Sequence, residues 1–219
     1  MIVDFIFDVA SPNTYLAHKI IPQIEERTGA KFEYIPCLLG GIHKLSNNQP
    51  PFIAYADCKN KSDYQMIEID RFVKQHSLTN YKFNSHFPPS TIQIQRGAIA
   101  AKELGIFEDY FECVISAMWE QDKNISDVEV LKEVLKEGNL DVESIMEIVL
   151  SQDCKDKLIK NTDDAVNKGC FGVPTFFYDN QIFFGKDHLH QLEQYINCLL
   201  YTSDAADEGL GVDLGGRRI

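Results

Sequence analysis

The chain has 219 residues, with 33 acidic against 21 basic side chains, a net charge of −12 and 44% hydrophobic residues. That length suits one domain, or one domain with a large insertion, and the acidity excludes the basic stripe that a nucleic-acid surface requires. No stretch reaches the ~20 apolar residues that span a bilayer, and the start of the chain carries Asp4 and Asp8 rather than a basic segment followed by an apolar one.

The first element is an alternating strand, Ile2-Val3-Asp4-Phe5-Ile6-Phe7, which runs into the turn Asp8-Val9-Ala10-Ser11-Pro12-Asn13-Thr14-Tyr15. Ser11 takes the N-cap position and Pro12 the first helical position of the helix that follows. N–H groups at a helix start attract an anion. A thiolate or carboxylate held over Ser11 therefore gains from the hydroxyl and from the helix dipole. The helical stripe Tyr15, Leu16, Ile20, Ile21, Ile24 is bent or restarted at Pro22 and ended by Gly29. Lys31 to Ile35 alternates as a second strand, and the crossover length suits a parallel βαβ unit.

From Gly40 the pattern is a loop rich in Asn, Pro and Gly, through Asn47-Asn48-Gln49-Pro50-Pro51. Helical segments follow at 62–75, 91–104, 107–121, 128–136, 142–150 and 153–168, two of them opened by Asp127 and Asp141. No internal period is present, so the block reads as a helical insertion rather than a repeat array. Strand signals return at Thr175–Tyr178 and Gln181–Phe184, joined by Asp179-Asn180, two residues that tolerate positive φ in a hairpin turn. A last helix runs through Leu189, Leu192, Ile196 and Leu199. Past it the composition shifts to Asp, Gly and Arg, and 201–219 reads as a tail, disordered or foreign to the domain.

This order predicts an α/β, thioredoxin-like fold with a large helical insertion: 1–40 and 169–200 form the thioredoxin-like part and 41–168 the insertion. The six cysteines (37, 58, 113, 154, 170 and 198) contain no Cys-x-x-Cys pair and no metal-ligand spacing. They read as reduced thiols of a cytoplasmic protein, and no metal is expected.

Three motifs in order carry a resemblance. Phe7-Asp8-x-x-Ser11-Pro12-x-x-Tyr15-Leu16-Ala17, Gly172-Val173-Pro174-Thr175-Phe176 and Phe184-Gly185-x-Asp187 resemble 2-hydroxychromene-2-carboxylate isomerases and their relatives, the kappa-class glutathione transferases. Both belong to the DsbA-like branch of the thioredoxin fold. Ser11-Pro12-Asn13-Thr14 stands where redox members carry Cys-x-x-Cys, and the missing cysteines argue against disulfide exchange, in which one sulfur attacks and another resolves.

The resemblance implies glutathione as cofactor, with Ser11 donating a hydrogen bond to its thiolate. It implies a cis Val173-Pro174 bond facing the Ser11 turn, although only about 5–6% of X-Pro bonds are cis. The Val173 peptide is then open to an extended ligand backbone. Asn48, Lys61 (or Lys59 in its place), Lys186 and Asp187 complete the implied glutathione site, Asp187 receiving the γ-glutamyl amino group. The implied reaction is isomerisation of a hydroxychromene carboxylate or a similar aromatic-catabolism intermediate by a homodimer, with kappa-type transfer as the alternative and a non-catalytic binding module as a third reading. Each residue also has a plain role to set against this: Ser11 as N-cap only, Pro174 as a trans proline opening a strand, Asn48 as a solvated loop residue and Asp187 as N-cap of the last helix.

Overall fold

Strand β1 (Ile2–Phe7) is buried on both faces, and its period of two sends Val3, Phe5 and Phe7 into the main apolar cluster and Ile6 into a second one. The computed structural model describes the backbone of residues 1–209 and the side chains of 1–199. After the turn come α1 (Pro12–His18) and α2 (Ile21–Thr28), so the chain restarts at Pro22, and α2 closes on Gly29 with φ +68°. A left-handed C-cap of this kind favours glycine. Strand β2 (Lys31–Pro36) pairs parallel to β1 with Val3 opposite Phe32 and Phe5 opposite Tyr34.

The segment expected to be a loop after Gly40 holds two helices, α3 (Leu39–Leu45) and the single turn α4 (Pro51–Ala54). Two glycines masked α3 in the sequence. Gly41 serves packing, since a Cβ there would lie 3.0 Å from the Thr162 methyl, whereas a Cβ at Gly40 would meet nothing within 4 Å. The expected helices follow as α5 (Lys61–Gln75), α6 (Ile92–Leu104), α7 (Phe107–Trp119), α8 (Val128–Glu137), α9 (Val142–Leu150) and α10 (Gln152–Asn167). Asp127 and Asp141 cap α8 and α9 as their positions predict, accepting from the Glu129 and Ser144 N–H groups.

The hairpin β3 (Thr175–Tyr178) and β4 (Gln181–Phe184) turns at Asp179 and Asn180, both at positive φ. β3 runs antiparallel to β1, giving the sheet order β2-β1-β3-β4. A 3-10 turn (Lys186–His188) leads into α11 (Leu189–Gly209). The helix continues past Leu200, and residues 210–219 of the expected tail lie outside the described residues. Among the described residues no helix is long and apolar enough to cross a membrane. All six cysteines are free thiols.

The main cluster joins sheet to helices through Phe5, Phe176, Tyr110, Phe111 and Trp119, all essentially fully buried. Gly97 lets α6 and α7 close on each other: a Cβ there would sit 2.0 Å from the Tyr110 hydroxyl oxygen and 2.6 Å from its Cζ. Tyr110 cannot swing aside, because its hydroxyl donates to the Ile94 carbonyl at 2.8 Å inside the core. Gly97→Ala should therefore cost about 1–3 kcal/mol despite its better helix propensity. Urea unfolding checks this, and an unchanged or raised midpoint would contradict it.

Candidate active site

The C-terminal end of β1 delivers the turn. Asp8 is its hub, with a carboxylate 1% exposed whose Oδ1 accepts from the Ala10 N–H at 2.9 Å. Its Oδ2 accepts from the Leu39 N–H at 2.8 Å and from the Thr91 hydroxyl at 3.0 Å. Burial pushes the Asp8 carboxyl up from its ordinary value, while these three donors pull the other way. One side chain thus ties the turn to the starts of α3 and α6. Gln95 does the same from α6, donating 2.9 Å bonds to the carbonyls of Phe7 and Cys37 and accepting from the Val9 N–H. Trp119, fully buried in the core, donates its indole N–H to the Val9 carbonyl at 2.9 Å.

Ser11 occupies the N-cap position but does not cap: α1 has no side-chain cap bond. Its hydroxyl, 6% exposed, donates instead to the Val173 carbonyl at 3.2 Å, across 162 positions of sequence. The expectation of a capping Ser11 is corrected on this point. With Pro12 lacking an N–H and the Thr14 N–H already bonded to the Ser11 carbonyl at 3.0 Å, the hydroxyl is free to face the opposite loop. The helix itself has seven residues, so the hydroxyl rather than a long macrodipole is the main polar group on offer.

The opposite loop carries a cis Val173-Pro174 bond. Among the described residues the Val173 N–H has no hydrogen-bond partner, and its carbonyl has only Ser11. The Pro174 carbonyl accepts from the Gly185 N–H at 2.9 Å, which carries the loop over to Lys186 and Asp187. Asn48 reaches the same loop, donating from Nδ2 to the Phe171 carbonyl at 2.8 Å.

Lys186 is 3% exposed, pairs with the Asp187 carboxylate at 2.5 Å and lies 5.0 Å over the Phe72 ring of α5. Asp187 does not cap the last helix; it sits inside the 3-10 turn with Lys186 as its partner. Lys61 begins α5, and its ammonium lies 4.9 Å over the Tyr55 ring without a hydrogen bond to the other site residues. The structure thus brings Ser11, Asn48, Val173, Pro174, Lys186 and Asp187 around one loop and leaves Lys61 apart.

Two features escaped the sequence. Asp8 stood in the motif without a role, although a carboxylate ending an apolar strand is a signal of buried hydrogen bonding. The Phe87-Pro88-Pro89-Ser90-Thr91 turn, itself built on a second cis bond at Phe87-Pro88, brings Thr91 to Asp8. Tyr15, beside Ser11 in the chain, is no rival donor: burial and the neighbouring Glu120 hold its phenol protonated, and it donates to Glu120 at 3.0 Å. A concavity of about 720 Å3 against β2 and α7 contains Glu25, Glu33 and Glu112, which are in ion pairs with Lys31, Lys102 and Lys19 respectively, together with Glu108 and Asp109.

A sheet of this order, a cis-proline loop facing the first helix and a helical block between β2 and β3 define a thioredoxin-type protein, and the chain belongs to the DsbA-like thioredoxin domain family, which it matches over residues 2–197. Within that family it is similar to the 2-hydroxychromene-2-carboxylate isomerase of Sphingobium xenophagum, 28% identical over 89% of this chain and 97% of the relative. It is also similar to the glutathione S-transferase kappa 1 of Rattus norvegicus, 25% identical over 80% of this chain and 79% of the relative. The solved structure of a 2-hydroxychromene-2-carboxylate isomerase superposes with a TM-score of 0.81 at 22% identity, covering 94% of this chain and 99% of that one.

Proposed function

We propose that the chain is a glutathione-dependent isomerase of 2-hydroxychromene-2-carboxylate or a similar aromatic-catabolism intermediate. The observation that carries this reading is the Ser11 hydroxyl held 3.2 Å from a Val173 carbonyl whose own N–H is unpaired. A hydroxyl beside an open peptide N–H and C=O fits a ligand with both a thiol and an extended backbone. Bound glutathione supplies a thiolate that adds reversibly to a conjugated substrate and leaves unchanged.

Ser11 turns its O–H from Val173 to the sulfur and favours the thiolate form. Val173 pairs its peptide groups with the cysteinyl backbone. Asp187 receives the γ-glutamyl amino group, with Lys186 holding the carboxylate in place. Asn48 and Lys61 serve the remaining polar groups, and the helical segment 41–168 encloses the substrate. Asp187→Ala should accordingly weaken glutathione binding by about tenfold, the worth of one charged hydrogen bond, with little change in kcat at saturating glutathione. Equal KM values for glutathione in the two proteins would remove Asp187 from the site.

We place this chemistry in the cytoplasm and in a homodimer. α4 and α5 leave Phe52, Ile53, Tyr64, Met66 and Ile67 exposed, an apolar face of the kind a second copy covers. Turnover decides between isomerase, transferase and binding module. The reading expects glutathione-dependent loss of chromene carboxylate absorbance with the glutathione thiol titre unchanged at the end. Consumption of glutathione with chlorodinitrobenzene alone would make the chain a kappa-type transferase, and no turnover of either compound would leave a binding module.

A further inference from the structure

A second cavity, of about 270 Å3, opens between α3, α6 and α10. Its apolar walls include Leu45, Ile92 and Ile159, which are 52%, 39% and 59% exposed. Side chains of this size left open to water around a concavity are the usual lining of a small-molecule site. The polar part is equally uneven. Lys44, Arg96 and Lys155 converge on the cavity against a single carboxylate, Asp163. In a chain of net charge −12, this is a local excess of positive charge.

None of the three cations is used. Among the described residues their side chains form no hydrogen bond or ion pair, whereas Lys157 and Lys160, on the same helix as Lys155, are paired with Glu103 and Asp164. Arg96 Nε is buried without any partner, which costs free energy unless something supplies an acceptor. The residues of this cavity are separate from the Ser11–Val173 loop.

We propose that this cavity binds a small apolar monocarboxylate, its ring or short chain against Leu45, Ile92 and Ile159 and its carboxylate on Arg96, Lys44 and Lys155. A carboxylate supplies the planar pair of acceptors that a guanidinium takes. An inorganic anion would leave the apolar walls wet, and the Asp163 carboxylate at the same rim disfavours a doubly charged ligand. The cavity is independent of glutathione, although two of its residues, Leu38 and Ile92, are chain neighbours of Leu39 and Thr91, which hold Asp8.

Calorimetry of the full chain with 2-naphthoate tests the assignment, with 2-naphthol and inorganic phosphate as controls and with and without saturating glutathione. The expected result is binding of 2-naphthoate that persists in glutathione and is at least tenfold tighter than that of either control. Lys44→Gln with Lys155→Gln, two changes at the cavity rim, should weaken it at least tenfold while circular dichroism stays unchanged. Arg96→Gln should weaken it as well; the lysine pair keeps the test open if that variant does not fold. No binding at millimolar 2-naphthoate, equal affinity for naphthol or phosphate, displacement by glutathione, or unaltered affinity in the lysine pair would each overturn the proposal.

Discussion

Ser11→Ala is expected to cut turnover at saturating glutathione by about 10²-fold, the order lost with one preorganised donor, while the protein stays folded. The hydroxyl makes no cap bond to α1, so the usual capping loss does not apply. What folding loses is one bond to the Val173 carbonyl, worth about 0.5–1.5 kcal/mol. The chemical loss is larger, and the Tyr15 hydroxyl, committed to Glu120, cannot replace the donor. The pKa of the bound glutathione thiol should rise in the variant, moving the acid limb of the rate profile, where the thiolate is protonated, to higher pH. Ser11→Cys should also lose most activity, since a thiol is a weak donor, and should form a mixed disulfide with glutathione. Wild-type rates and an unshifted profile in Ser11→Ala would reduce Ser11 to a residue that joins two loops.

Asp8→Ala should be the most destabilising change in the site, at about 3 kcal/mol or more. It strips acceptors from the Ala10 and Leu39 N–H groups and the Thr91 hydroxyl at once, and each buried donor left unpaired costs about 1–3 kcal/mol. Asp8→Asn keeps one acceptor oxygen and should lie between the variant and wild type. Its pH dependence has a definite sign. Burial raises the Asp8 pKa on folding, so the group's contribution is full below the ordinary value of 3.8 and is lost as pH rises through the raised one. The stability advantage of wild type over Asp8→Asn should therefore shrink with rising pH. Urea midpoints across a pH series check both statements, and an advantage that grows with pH would contradict the burial argument.

Much of the fold was legible because its signals are local. Alternation in Ile2–Phe7, the Asp179-Asn180 turn and the Asp127 and Asp141 caps act within a few residues, and each stands where the sequence puts it. Helix α3 was not legible, since Gly40-Gly41 is poor helix sequence and what fixes the segment is remote: Asp8 on the Leu39 N–H and Thr162 on the Leu38 N–H. The site divides the same way. The resemblance indicated Ser11, Val173 and Pro174, but the direction of the Ser11 hydroxyl depends on a carbonyl 162 residues away. Gln95 is one of several polar residues in α6, and only the tertiary structure aims it at Phe7, Val9 and Cys37. Lys61 matched the family pattern by spacing, and its ammonium lies over the Tyr55 ring.

The most direct measurement is a crystal structure of the chain with glutathione at millimolar concentration. It should place the sulfur within hydrogen-bonding distance of Ser11 Oγ, with the cysteinyl N–H and C=O paired to the Val173 peptide and the γ-glutamyl amino group on Asp187. Glutathione bound elsewhere, or a cleft in which Ser11 still donates to the Val173 carbonyl while calorimetry registers no binding, would contradict the assignment.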